Sequence, residues 1–256
     1  MPLYLTSLNS GSNGNCYYIG NGLEAVLIDA GISCRETERR MIRLGLSLRS
    51  VKAIFITHEH TDHTRGAEVI SRKYGIPVYI TGATYRKSRL NLDPQKVKPF
   101  TAFTPVYIGN LCVNPFPKWH DASEPHSFTV SANGITAGVF TDLGMACEHV
   151  VHHLSQCHAA FLESNYDENM LENGHYPLYL KRRIRGMEGH LSNNQALELF
   201  TTHRPPWMQL LVLSHLSAVN NHPEIVHELF SRHANGIKII VASRYEETEV
   251  FCVQEL

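Results

Sequence analysis

Apolar, β-branched residues recur along this chain in short runs that break off into polar clusters. Residues 3–8 and 16–20 predict paired strands joined by the polar loop 9–15, and residues 24–28 predict a third strand ending at Asp29-Ala30-Gly31. An amphipathic helix follows from about residue 34 to 44, carrying Arg35, Arg39, Arg40 and Arg43, whose charges read as a solvated face. Residues 51–56 form an apolar run that reads as a buried strand. Helix 65–74, strand 76–80 and helix 83–90, the last bearing Arg86, Lys87 and Arg89, then give a β-α-β rhythm.

The rhythm changes to four strands at 105–108, 111–116, 127–132 and 135–140, with Asn133-Gly134 marking a tight hairpin between the last two. Next come a helix that begins near Met145, a strand at 159–162, a helix starting at Ser192 or Asn193, a strand at 210–213, a helix at 223–232 and a strand at 237–241. Residues 249–253 predict an edge strand. His149, His152 and His153 have Val150, Val151 and Leu154 beside them and read as ordinary positions of an amphipathic helix, not as ligands.

With 256 residues and no linker or low-complexity tract, the chain is expected to form one domain, 1–256, with a large core. Its 43% hydrophobic and 18% charged residues argue against extended disorder. A formal net charge of -1 provides no global attraction to nucleic acid or membrane, so a polyanionic partner has to be met by a local patch. The amino terminus lacks a basic segment followed by an apolar core, and no apolar run is long enough to span a bilayer; the expectation is a cytoplasmic protein with no membrane association. Cys16, Cys34, Cys112, Cys147, Cys157 and Cys252 form no Cys-x-x-Cys pair and read as reduced, mostly buried thiols, not as metal ligands. The 16 histidines are the compositional outlier.

Those histidines direct attention to Thr57-His58-Glu59-His60-Thr61-Asp62-His63, which follows strand 51–56 at once. Two imidazoles one residue apart can point the same way, and Asp62 and His63 add ligand types that suit zinc, manganese or iron. A His-rich surface loop would have the same composition but would not need partners downstream. Candidate partners also stand at strand ends: His120 after residues 111–116, Asp142 after 135–140, and His215 after 210–213. Taken singly, His120 is as much a surface histidine as a ligand, and Asp142 as much a helix cap. Asp29 is either a turn residue or helix cap, or an acceptor that anchors the histidine loop. Loop 9–15, with Ser12 and Asn15, is equally a phosphate cradle and a polar turn.

In this order and spacing, His58, His60, Asp62, His63, His120, Asp142 and His215 resemble the ligand set of the metallo-β-lactamase superfamily, and Asp29 resembles its first motif. The resemblance implies an α/β fold, the αββα four-layer sandwich of two mixed β-sheets flanked by helices, with metals at one end. Gly189-His190-Leu191-Ser192 looks like a segment of the related tRNase Z group. Ser10-Gly11-Ser12-x-Gly14-Asn15, Leu162-Glu163-Ser164-Asn165-x-Asp167, Tyr176-Pro177-x-x-Leu180-Lys181, Gly189-His190-Leu191-Ser192-Asn193 and Asn220-Asn221 are similar, more closely still, to the YycJ/WalJ group. That group is implied to comprise DNA-acting exonucleases. His175 departs from the group's proline, a change read as neutral, and the chain lacks the long arm that some tRNase Z proteins use to grip tRNA.

By that resemblance His58, His60 and His120 hold one divalent ion, Asp62, His63 and His215 a second, and Asp142 bridges two ions of zinc or manganese, with iron also compatible. A hydroxide between them would attack a phosphodiester in line. Asp62 would orient it and accept its proton, His190 would protonate or stabilise the leaving oxygen or clamp the phosphate, and Glu163 would orient His190. Ser12, Asn15, Lys181, Arg182, Asn220 and Asn221 are the candidates for substrate phosphate, with Lys181, Arg182, Arg183 and Arg185 forming a basic track near His190 for a nucleic acid, DNA in particular. A small-molecule phosphodiesterase or thioester hydrolase is the alternative, and a nucleic-acid-binding protein without turnover a third reading. The sequence is silent on oligomeric state.

Overall fold

The computed structural model describes residues 2–255, and its strands lie in two seven-stranded sheets. The first is built from β1 (Leu3–Asn9), β2 (Cys16–Gly20), β3 (Ala25–Ile28), β4 (Val51–Phe55), β5 (Val78–Tyr79) and β6 (Val97–Lys98), adjacent in that order. The second contains β7 (Val106–Ile108), β8 (Leu111–Pro117), β9 (His126–Ala132), β10 (Ile135–Phe140), β11 (Ala159–Glu163), β12 (Leu210–Ser214) and β13 (Lys238–Val241), again in order. The last strand, β14 (Phe251–Val253), returns to the edge of the first sheet beside β1, as the edge expectation had it. Both sheets are mixed. Pairing is antiparallel from β1 to β3 and parallel from β3 to β6, then antiparallel from β7 to β10 and parallel from β10 to β13.

Alternation along the strands explains the layers. On β3, Val26 and Ile28 enter the core between the sheets, while Ala25 and Leu27 pack outward with Met41 of α1 (Cys34–Arg43) and Ile70 of α3 (Ala67–Tyr74). On β12, Leu210 and Val212 face inward, and Leu211 and Leu213 pack with Phe200 of α8 (Asn193–His203) and Phe230 of α9 (Pro223–Ser231). Each such apolar side chain, fully buried, contributes about 1.5–3 kcal/mol of transfer free energy. Tyr17 of β2 and Phe161 of β11, 4.8 Å apart between ring centroids, tie the sheets together. The result is the αββα sandwich with two mixed sheets.

The remaining helices are α2 (Thr61–Thr64), α4 (Gly82–Lys87), α5 (Glu148–Leu154), α6 (Glu168–Asn173) and α7 (Leu178–Arg185), with a single 3-10 turn at Leu48–Ser50. Several boundaries differ from the sequence expectation. The expected helix 65–74 begins two residues later, as α3 at Ala67, and a separate short helix that was not expected, α2, precedes it. Gly66 divides them because its N–H donates to the Ala30 carbonyl at 2.7 Å, and a Cβ there would lie 2.1 Å from the Ile32 carbonyl oxygen. The helix placed near Met145 begins at Glu148, behind Cys147 as N-cap. Strand 76–80 is shortened to β5, Val78–Tyr79. The short β6 and α6 are additions that local pattern did not predict. At α8 the expected start is seen in detail: Ser192 caps the helix and closes a capping box with Gln195. No helix among the described residues is long and apolar enough to cross a membrane.

Candidate metal centre

The carboxyl ends of β3, β4, β8, β10, β11 and β12 converge at one end of the sandwich, the rim where open α/β sheets place their sites. Three residues there turn the chain sharply out of its strand. Asp29, Asp142 and His215 have left-handed backbones, with φ of 62°, 55° and 57°. Such residues cost about 1–3 kcal/mol each, and Asp and His are among the side chains that adopt this region more often than most. The kinks turn carboxylates and imidazole toward a common centre. Close approach finishes the rim. Asp62 lays its carbonyl oxygen where a Cβ on Gly31 would be, 1.7 Å away, and accepts the Asn15 N–H at 2.7 Å.

The imidazoles are held from behind. Asp29 accepts the Thr57 N–H at 2.8 Å through Oδ1, and the Thr57 hydroxyl at 2.9 Å and His63 Nδ1 at 2.7 Å through Oδ2. This is the anchoring role for which Asp29 was one of two sequence readings. His58 Nδ1 meets the Thr57 hydroxyl at 2.9 Å, His120 Nδ1 donates to the Gly189 carbonyl at 3.2 Å, and His215 Nδ1 lies 3.2 Å from Glu163 Oε1. With each Nδ1 occupied, each Nε2 is left to face inward, the arrangement that orients metal-ligating histidines. His60 presents Nδ1 instead, 3.0 Å from His58 Nε2.

The inward-facing atoms fit divalent cations. His58, His60 and His120 bring ligand atoms within 4.8 Å of one another, and so do Asp62, His63 and His215; a third such group, His58, His63 and Asp142, lies between them. His63 Nε2 is 3.2 Å from Asp142 Oδ2 and 3.5 Å from Asp62 Oδ2, and His215 Nε2 is 3.5 Å from Asp142 Oδ1. Within this cluster His120 Nε2, His215 Nε2 and Asp142 Oδ2 are buried and form no hydrogen bond, their polar neighbours being charge contacts at 3.4, 3.5 and 3.2 Å. Buried polar atoms without good hydrogen bonds are costly, and cations held by nitrogen and oxygen ligands within these groups would satisfy them.

The charge pattern agrees. Burial, reinforced by His63 and Lys118, holds His58 well below the ordinary imidazole range, and burial brings His120 down to about 4. Burial also opposes protonation of His63 and His215, but there the carboxylates prevail. Asp29, Asp142 and Asp62 hold His63 well above its usual value, and Asp142, Asp62 and Glu163 bring His215 up to about 10. Burial disfavours the ionised forms of Asp62 and Asp142, yet His63 and His215 draw both below the usual carboxylate range.

His190 borders this cluster. Its Nδ1–H donates to Glu163 Oε1 at 2.7 Å, while Glu163 Oε2 accepts the Leu143 N–H at 2.6 Å. Glu163 is sealed from solvent and the His190 side chain keeps 21% exposure, so His190 faces the cleft and Glu163 stands behind it. The cleft beside His190, about 200 Å³, is lined by Ser12, Asn165, Tyr176, Arg183 and His215 among others.

The remaining candidates are placed unequally. Ser12 lines the cleft. Asn15 is buried, its Oδ1 accepting the Gly11 N–H and Tyr17 hydroxyl, and its Nδ2 lying 3.1 Å from His63 Nε2. Asn221 is a buried clasp: Nδ2 donates to the Ser164 and Asn165 carbonyls and to Asn193 Oδ1. Asn220 is buried too, with its amide atoms unpartnered and Oδ1 close to Gly174. Lys181 and Arg182 do not line the cleft. The face of α7 that does carries Leu180, Arg183 and Ile184, at i, i+3 and i+4 spacing, a signal the sequence contained. Sequence reasoning also passed over Asn165, whose Nδ2 donates to the His215 carbonyl at 2.8 Å, and Lys118, buried with Nζ donating to the Thr141 carbonyl at 2.6 Å beside the kinked Asp142.

Residues 10–127 match the family model described as the metallo-beta-lactamase superfamily. The chain is 32% identical over 228 residues to exodeoxyribonuclease YycJ of Bacillus anthracis, covering 88% of this chain and 86% of that one. It is 29% identical to exodeoxyribonuclease WalJ of Streptococcus pneumoniae over 225 residues, 86% of this chain and 84% of that one. Among solved structures, the metallo-beta-lactamase fold protein YhfI of Bacillus subtilis superposes with a TM-score of 0.74 at 13% identity, over 98% of this chain and 100% of that one.

Proposed function

Because the chain belongs to the metallo-β-lactamase superfamily and, within it, to the group of YycJ and WalJ, we propose that it hydrolyses DNA phosphodiester bonds as a metal-dependent exonuclease. The observation that carries this reading is the cluster of inward-facing, unpartnered buried donors at His120, His215 and Asp142, bordered by a cleft-facing histidine on a sealed glutamate. His58, His60 and His120 would hold one divalent ion, and Asp62, His63 and His215 a second, with Asp142 between them. Zinc or manganese in that site, with iron also compatible, would supply Lewis acidity toward water and toward the phosphate oxygens.

The chain's own groups do the rest. Asp62, whose side chain is 20% exposed while Asp142 is almost sealed, is the carboxylate placed to accept the proton of the attacking water. Attack on phosphorus breaks the bond to the leaving oxygen. His190, held through Nδ1 by Glu163, presents Nε2 to the cleft, where it gives a proton or a hydrogen bond to that oxygen. Glu163 is a positioning residue, since it reaches the substrate only through His190. Ser12 is the phosphate contact that the cleft supports best. We also place this activity in the cytoplasm, where the six free thiols suit a reducing compartment.

The modest cleft of about 200 Å³ also suits the alternative, a small-molecule phosphodiesterase or thioester hydrolase. Incubation of the metal-loaded protein with linear and covalently closed circular DNA separates the two. The exonuclease reading expects linear DNA to be degraded, the closed circle to survive, and a chelator to stop the reaction. Persistence of both DNAs, with turnover of a small aryl diester or thioester, favours the alternative.

A further inference from the structure

The metal centre also opens on a larger cavity, a groove of about 940 Å³ that starts at His60 and Asp62 and extends past α2 and α3 to the end of α4. Its basic side chains are Arg65, Lys87, Arg89 and Arg183, and Arg183 also lines the cleft beside His190, so the two cavities meet there. Glu59 and Glu68 line the groove as well, but both are engaged. Glu59 Oε1 accepts the Ser123 N–H and hydroxyl, and Glu68 takes Arg72 and the Asn91 N–H.

The cations of the groove differ from those of α7. On α7, Arg183 is paired with Asp121, Arg185 with Glu172, and Lys181 donates to the Glu172 carbonyl at 2.5 Å. Lys87 and Arg89 have no hydrogen-bond or ion-pair partner among the described residues, and Arg65 reaches only the Asn13 carbonyl, at 3.2 Å. In a chain of net charge -1, three cations with at most one backbone partner therefore stand together on the wall of the groove that leads away from the metal ligands, whereas Arg182, the α7 cation in the same state, lines neither cavity.

We propose that this groove binds the sugar–phosphate backbone of a polynucleotide strand beyond the scissile bond, with Arg65, Lys87 and Arg89 meeting successive phosphates. The inference rests on the nuclease reading. It assigns strand binding chiefly to the residues at the ends of α2 and α4, not to the basic run of α7. Recognition of this kind positions the strand and carries no base readout. A substrate too short to enter the groove gains nothing from these three residues.

The test is steady-state digestion of a 30-nucleotide DNA by the metal-loaded protein between 50 and 200 mM salt, comparing wild type with the triple variant Arg65→Ala, Lys87→Ala, Arg89→Ala. All three side chains are exposed, so thermal melting should show an intact fold. At about 0.7 counterions released per single-strand phosphate contact, the variant should flatten the slope of log KM against log salt by about 2, and raise KM roughly tenfold or more at the low-salt end. An unchanged KM and slope, or a loss confined to kcat, overturns the groove assignment while wild-type cleavage upholds the nuclease reading. Absence of DNA cleavage by wild type overturns both.

Discussion

Asp29 never reaches the cleft, yet one carboxylate there holds the Thr57 backbone, the Thr57 hydroxyl and His63. Asp29→Asn keeps the size and the tolerance of a left-handed backbone but removes an acceptor and a charge. Partners of this kind typically cost 10–100-fold in metal affinity when altered, so competition with a chromogenic chelator should show weakening in that range. Unchanged affinity would remove Asp29 from the metal site's support. Gly31 is constrained differently: the Asp62 carbonyl oxygen occupies the place of its Cβ, and both are backbone. Gly31→Ala should destabilise by at least about 1–3 kcal/mol, a drop of at least about 2 °C in Tm by thermal denaturation, and a wild-type Tm would contradict the contact. At this scale the sequence was legible where residue type dictates chemistry, as with the histidines. It was not legible for amides: Asn15 and Asn221 could as readily bind a phosphate as clasp backbone, and only tertiary neighbours decide which.

Elements were legible where their pattern is long. The strands that alternate inward and outward, such as β12, were found within a residue or two, and β5 within the expected strand 76–80, whereas β6 has only its pairing with β5 at Val78–Val97 and Tyr79–Lys98 to mark it. The basic run on α7 was read as a block, although helical periodicity turns Arg183 to the cleft with Leu180 and Ile184. On α5, His153, read with His149 and His152 as an ordinary position of an amphipathic helix, stacks on Phe116 with 4.0 Å between centroids and 15° between planes. Burial, then repulsion from His152 and His149, brings its pKa from 6.5 down to about 4. The unfolded chain thus binds a proton that the folded chain refuses between those values. Its stability is complete above pH 6.5, declines as pH falls toward about 4, and levels off below. His153→Phe keeps the stack without the proton site, so its Tm should fall less between pH 7 and pH 5 than that of wild type. Parallel declines would show that His153 is not the sensor.

For the whole molecule, both sheets pass from antiparallel to parallel pairing, and the parallel strands β3, β4, β10, β11 and β12 end on the same rim. This topology converts residues scattered from 29 to 215 into one cluster, which is why motif spacing along the chain could indicate the centre. The groove was less legible. Arg65 stands at the end of α2, and Lys87 and Arg89 stand together at the end of α4, and nothing local to either segment says that they share a wall. The most direct measurement is a time course with linear double-stranded DNA labelled at either the 5′ or the 3′ end, using protein shown to carry divalent metal, with Asp62→Ala and His190→Ala alongside. We expect progressive loss from one end, abolished by Asp62→Ala and slowed about 100-fold or more by His190→Ala. DNA left intact by the metal-loaded wild type, or cleavage unaffected by Asp62→Ala, would contradict the account.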